Sequence, residues 1–205
     1  MNKKLSAGLL VCLMVAVAVA SAPARPAQAA NSYYFNFQQS TKPFVAQASQ
    51  NAATKLSRVV GACPCEPILS NYFARLASRA INNVVPGPGQ GQATWMVANL
   101  PVGQGQAYSV TISWTARAVA ATAGSGNCKT CSAIAYAGAA PPKGVKDFRT
   151  VPQATTMNAK WATYKFSTVI VPELSPNAYV ALGWNGINSA IDVDCVTVTI
   201  VPIVR

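Results

Sequence analysis

The sequence predicts an all-β domain, an antiparallel β-sandwich, behind an N-terminal export signal. Three observations carry that reading: apolar and polar residues alternate with a period of two along several segments, turn residues separate those segments, and strand patterns do not alternate with helical ones. The ionisable residues narrow the chemistry. The 205 residues hold 16 lysines and arginines against five carboxylates and no histidine, a net charge of +11. A chain without histidine has no Ser/His/Asp or Cys/His catalytic set and no imidazole metal ligand.

At the N-terminus Lys3 and Lys4 precede the apolar run LSAGLLVCLMVAVAVASA, and small residues and prolines lead on to Ala27, Gln28 and Ala29, the A-x-A form that a signal peptidase reads. The expected organisation is a signal peptide over 1–29 and one domain over 30–205. The product would be secreted, with no stable membrane insertion after cleavage, because Pro23 and Pro26 break the apolar stretch. Cys12 follows Val11, not the small residues that precede a lipidated cysteine. The loss of Lys3, Lys4 and Arg25 leaves 13 cations against five carboxylates, a net +8, with no block of five basic residues. No nucleic-acid partner is expected, and the balance suits an anionic polysaccharide.

The first expected strand is 33–37. Residues 45–60, with Leu56 and Val59, carry the one helical pattern of the domain. Further strands are expected over 73–78 and 94–100, and residues 85–92, rich in Pro, Gly and Gln, read as a loop. After the turn at 101–105, Tyr108, Val110, Ile112 and Trp114 alternate with Ser109, Thr111, Ser113 and Thr115, the pattern of a strand with one face in a core and one in water. Residues 133–136 form another short strand. In 160–170, Tyr164, Phe166, Thr168 and Ile170 share one side, and Trp161, Thr163, Lys165 and Ser167 the other. The strand at 178–184 ends at Asn185 and Gly186, residues that suit a tight turn. The last strand, 191–204, places Asp194, Val196, Val198 and Ile200 on one face and Cys195, Thr197 and Thr199 on the other.

Read in order, these segments resemble the galactose-binding-domain-like jelly rolls that occur as carbohydrate-binding modules on secreted bacterial enzymes. The resemblance rests on YYFNF, YFARLASR, ATWMVANL, GQAYSVTISWTARA, WATYKF and the terminal Val193-Asp194-Cys195-Val196-Thr197-Val198, and so covers nearly all of residues 30–205. It implies a jelly roll that binds carbohydrate without catalysis. It also implies a structural calcium, held by Asn36, Gln38 and Asp194. Two departures bear on that site: Gln38 stands where the family commonly has an acidic residue, and Cys195 where it has a second aspartate.

A glycan site of this kind needs outward aromatic rings that cover the C–H face of a sugar, with amides and hydroxyls beside them. Trp114 shares a face with Val110 and Ile112 and reads as core. Trp95, Trp161 and Trp184 are the candidate platforms, and Asn99, two same-face sites from Trp95 on its strand, is the candidate amide. Asp192 and Asp194 lie roughly 6 to 7 Å apart on one strand face, a separation that overlaps glycosidase carboxylates, but Asp194 has the structural part that the resemblance gives it, and no enzyme is expected. A structural or adhesive sandwich without a sugar site is the alternative. The cysteines add a second feature. Cys63 and Cys65 form C-P-C, Cys128 and Cys131 form C-K-T-C, and Cys195 makes an odd fifth in the exported chain. Export favours disulfides at Cys63, Cys65, Cys128 and Cys131 with undetermined pairing, over a four-thiolate zinc site, whose usual spacing C-P-C lacks, or a redox C-x-x-C, which would need a βαβ context.

Overall fold

Alternation along Tyr108–Ala118 makes an 11-residue strand, β6, in which Val110, Ile112, Trp114 and Ala116 are buried and Ser109, Thr111 and Ser113 are half-exposed. The computed structural model describes residues 29–49, 52–62, 72–81, 92–119, 132–151, 157, 159–187 and 189–204. The remaining strands among them are β1 (Asn31–Phe35), β2 (Val45–Ala48), β3 (Ala52–Val60), β4 (Tyr72–Ala80), β5 (Thr94–Pro101), β7 (Ala133–Gly138), β8 (Arg149–Thr150), β9 (Ala162–Ile170), β10 (Asn177–Trp184) and β11 (Ser189–Pro202).

They form two antiparallel sheets. The six-stranded sheet runs β3-β4-β11-β6-β9, with β1 also paired to β11, and the five-stranded sheet runs β2-β5-β10-β7-β8. Because β4 pairs with β11 over Ser189 to Val193 and β1 pairs with it over Val196 to Ile200, these two strands lie end to end along one edge of β11. The inner faces share one core in which Leu76, Ile112, Trp114, Val198 and Ile200 of one sheet meet Met96, Leu100, Val180, Leu182 and Trp184 of the other. This is the antiparallel sandwich expected from the alternation. Among the described residues no helix is long and apolar enough to cross a membrane.

Two expectations are corrected. Residues 45–60 are not helical: β2 and β3 lie there, Val45 opposite Val97 and Leu56 opposite Leu76. In so sparsely apolar a segment the spacing of Leu56 and Val59 fits a helix, but cross-strand pairing and the insertion of Leu56 against the core decide the outcome. The second correction lies in β11. Ile191 and Val193 belong to the core, and so do Val196, Val198 and Ile200, so the inward set changes from odd to even positions between them. The ladder with β6 shifts between Asp194 and Thr197, and Cys195 has a φ of 51°. This bulge takes up one extra residue. Asp194 therefore does not share the face of Val196; it stands opposite Thr115, on the outer side with Asp192.

Candidate functional site

The outer face of the five-stranded sheet gathers aromatic and amide side chains in successive cross-strand rows. One row runs from Asn99 of β5 through Tyr179 of β10 to Gly138 of β7, the next from Val45 through Val97 and Ala181 to Tyr136, and a third from Gln47 through Trp95 and Gly183 to Ile134. Strand parity sets this arrangement: the neighbours Met96, Ala98, Val180 and Leu182 point into the core, so their alternates point out.

Part of this face is roofed. The segment between β7 and β8 carries a short 3₁₀ turn, Val145–Asp147, and the Asp147 carboxylate accepts the backbone N–H groups of Lys143 at 2.7 Å and Gly144 at 3.2 Å. That closure sets Phe148 with its ring centroid 5.0 Å from Trp95 and 5.9 Å from Tyr136. Trp95 is only 2% exposed, in a second apolar cluster with Val97, Ile134, Phe148 and Ala181, and its Nε1 donates to Gln47 Oε1 at 3.0 Å. Gly183 has a specific part here, since a Cβ at this position would stand 2.0 Å from the Thr94 carbonyl oxygen. The open part of the face holds half-buried Tyr179 and Tyr136, with Asn99 and Val45 exposed beside them. Tyr136 lies over Gly138 and donates its hydroxyl to the Ala140 carbonyl at 2.6 Å. Burial, and after it the charge of Asp147, push its phenol above the ordinary tyrosine range, so it is held neutral.

The sequence-derived candidates thus separate. Asn99 is exposed on this face, whereas Trp95 has outward parity but is covered by Phe148, which corrects the expectation that its ring is open to a ligand. Trp184 faces the core with none of its surface exposed, which corrects the expectation of an outward ring: it closes β10 at a position of inward parity, opposite Ala133, whose small side chain leaves room for the indole. Trp161 belongs to the other sheet. It is half-buried, edge-on to Phe73 at 5.6 Å, with the Arg117 guanidinium 4.7 Å from its ring. Tyr136 and Tyr179, absent from the sequence-derived candidates, are marked by their outward parity on β7 and β10.

The candidate calcium ligands lie on neighbouring segments. Phe35 pairs with Val196, so Asn36 continues beside the bulge that contains Asp194. Asn36 Oδ1 accepts the Gln38 backbone N–H at 3.3 Å, Gln38 Nε2 donates to the Tyr72 carbonyl at 3.5 Å, and Asp194 is fully buried. One carboxylate and two amides are oxygen donors of the hard kind that calcium takes. Among the described residues no group of three or more His, Cys, Asp and Glu could hold a metal. Cys195 is disulfide-bonded, and every other cysteine, including Cys63, Cys65, Cys128 and Cys131, lies outside the described residues.

Two facing antiparallel sheets in this order form a jelly-roll sandwich. A xylan-binding domain of carbohydrate-binding module family 22 is similar at 13% identity with a TM-score of 0.50, over 84% of this chain and 96% of that one. The tandem CBM22-1 and CBM22-2 domain from Paenibacillus barcinonensis Xyn10C is similar at 14% identity with a TM-score of 0.50, over 89% of this chain and 48% of that one. The CBM22-1 xylan-binding domain of the same protein gives 13% identity and a TM-score of 0.47, over 87% of this chain and 99% of that one. At such identities the likeness is one of fold. No protein-family model matches the sequence, and no curated protein matches it.

Proposed function

We propose that the chain is an exported, non-catalytic carbohydrate-binding domain that holds a glycan across the outer face of the five-stranded sheet. The observation that carries this reading is the cluster of Tyr179, Tyr136 and Asn99 on the open part of that face, beside the part where Phe148 covers Trp95. Half-exposed rings present flat apolar surface to a pyranose, while Asn99 and the polar tips of the tyrosines pair with its hydroxyls. Among the carboxylates, Asp192 accepts from Arg75 and Arg117, and Asp147 accepts two backbone N–H groups.

The test uses protein recovered from the medium, whose N-terminal sequence is expected to begin at Ala30 and whose mass before and after reduction counts disulfides among the loop cysteines. Retention is measured on xylan, cellulose and mixed-linkage glucan. Wild type is expected to bind at least one of them without releasing reducing sugar. Tyr179→Ala should weaken that binding by about tenfold, or about 1.4 kcal/mol, with an unchanged circular dichroism spectrum. Equal retention of the variant, or no binding across the panel, would give the sandwich a structural or adhesive role instead.

A structural calcium completes the proposal, with Asp194, Asn36 and Gln38 as its protein ligands. Calcium is then expected to raise the unfolding temperature and EDTA to lower it, while Asp194→Asn should not respond to either. An unfolding temperature that EDTA leaves unchanged removes the site.

A further inference from the structure

The outer face of the six-stranded sheet carries a different chemistry. Asp192 of β11 stands directly between Arg75 of β4 and Arg117 of β6 in one cross-strand row. Its Oδ1 accepts Arg75 Nε at 2.7 Å, and its Oδ2 accepts Arg75 Nη2 at 3.1 Å and Arg117 Nε at 3.0 Å. One carboxylate thus serves two guanidinium groups, and a positive charge remains. The carboxylate is 1% exposed, whereas the arginine side chains are 34% and 30% exposed. The charge is therefore presented outward.

Trp161 lies beside it. Arg117 Cζ is 4.7 Å from the Trp161 ring centroid and 5.4 Å from that of Phe73, so guanidinium and indole form one half-exposed surface. Lys55, Arg79 and Lys165 are exposed, on strand positions of the same outward parity. Among the described residues the carboxylates on this face are Asp192 and Asp194, both buried. Hydroxyls accompany the cations, with Thr115 opposite Thr163 between Arg117 and Lys165, and Thr111 opposite Ser167 on the far side of Lys165.

We propose that this face is a second binding surface, for a carboxylate-bearing polysaccharide: Trp161 covers a sugar face, the unused guanidinium edges of Arg117 and Arg75 take a uronate carboxylate, and the serine and threonine rows meet ring hydroxyls. A planar fork matches a carboxylate in geometry as well as in charge. Hydroxyl rows beside the cations pair with the ring hydroxyls of a sugar polymer; they could also donate to a phosphodiester, so the binding assay includes duplex DNA to separate the two. The proposal rests on the reading of the chain as a glycan binder, but on other residues and another sheet.

Binding to polygalacturonate and to xylan is compared by affinity electrophoresis at low salt and at 0.3 M NaCl. Arg117→Lys keeps the charge beside Asp192 but loses the fork, and is expected to weaken polygalacturonate binding about 5- to 10-fold with xylan unaffected. The double variant R79Q/K165Q, placed on exposed side chains away from the ion pairs, should weaken polygalacturonate binding and flatten its salt dependence at an unchanged unfolding temperature. Tyr179→Ala should affect xylan and leave polygalacturonate alone. Wild-type affinity of both cationic variants for polygalacturonate overturns the second face, and so does loss of both ligands in Tyr179→Ala. Equal binding of dextran sulfate or duplex DNA at matched charge shows an ion exchanger and overturns the uronate assignment. Binding of xylan without polygalacturonate defeats this inference alone, whereas binding of neither, together with no retention on cellulose or mixed-linkage glucan, also defeats the proposed function.

Discussion

Trp184→Ala is expected to destabilise the domain by about 3 to 5 kcal/mol, the range of large cavities in well-packed cores. The indole is fully buried at the end of β10, between Thr94 of β5 and Ala133 of β7, in the core that joins the two sheets. Its small neighbours Ala133 and Ala135 cannot expand to fill the space. Trp184→Phe should cost less, because the smaller ring also removes an indole N–H that is buried without a hydrogen-bond partner in the structure. Urea unfolding measures both, and glycan affinity of the folded fraction should be unchanged in each. A Trp184→Ala variant that is as stable as wild type but no longer retained on polysaccharide would return this residue to the ligand surface.

Asp192→Asn is expected to cost about 2 to 3 kcal/mol. The substitution keeps the side-chain volume but leaves Arg75 and Arg117 on either side of a neutral amide, where each had a charged acceptor. The lower part of the range for broken buried pairs applies, because both guanidinium groups are about one third exposed and water screens them. Hydrogen bonding to Asp192 holds the Arg75 pKa above its ordinary value, and although that support goes with the acid, a guanidinium stays protonated at neutral pH, so the charge remains. Added salt should therefore recover part of the loss. Replacing all three residues together by apolar ones of similar size should be close to neutral, since desolvation of the ions offsets much of their attraction. Denaturation of the single and triple variants checks the argument. An Asp192→Asn protein with wild-type stability would show that the ion pairs contribute nothing to the fold.

Much of the sandwich was legible because its strands are half-buried. Val110, Ile112 and Trp114 alternate with hydroxyls, as do Val198 and Ile200, and burial of one face leaves a period that needs no partner to be recognised. The motif segments fall where the resemblance puts them: GQAYSVTISWTARA supplies β6, WATYKF opens β9, and ATWMVANL supplies β5. Less of the site was legible. Asn99 and Trp95 share the outer face of the five-stranded sheet, as their spacing on one strand implies, but Trp184 is core, and Tyr136 and Tyr179 carry no local signal beyond parity.

Composition and periodicity alone determined that this chain carries no histidine chemistry, that its strands are antiparallel and amphipathic, and that its charge is positive. These are properties of single residues or of neighbours two apart, and they require no knowledge of what lies across the sheet. Only the tertiary structure decided which strand borders which, that a bulge at Cys195 turns Asp194 to the outer face, that Phe148 roofs Trp95, and that Asp192 unites two arginines 117 and 75 residues away in sequence. A strand's two faces are chemically alike to a local reading until the opposing sheet takes one of them, and one extra residue in a ladder exchanges them.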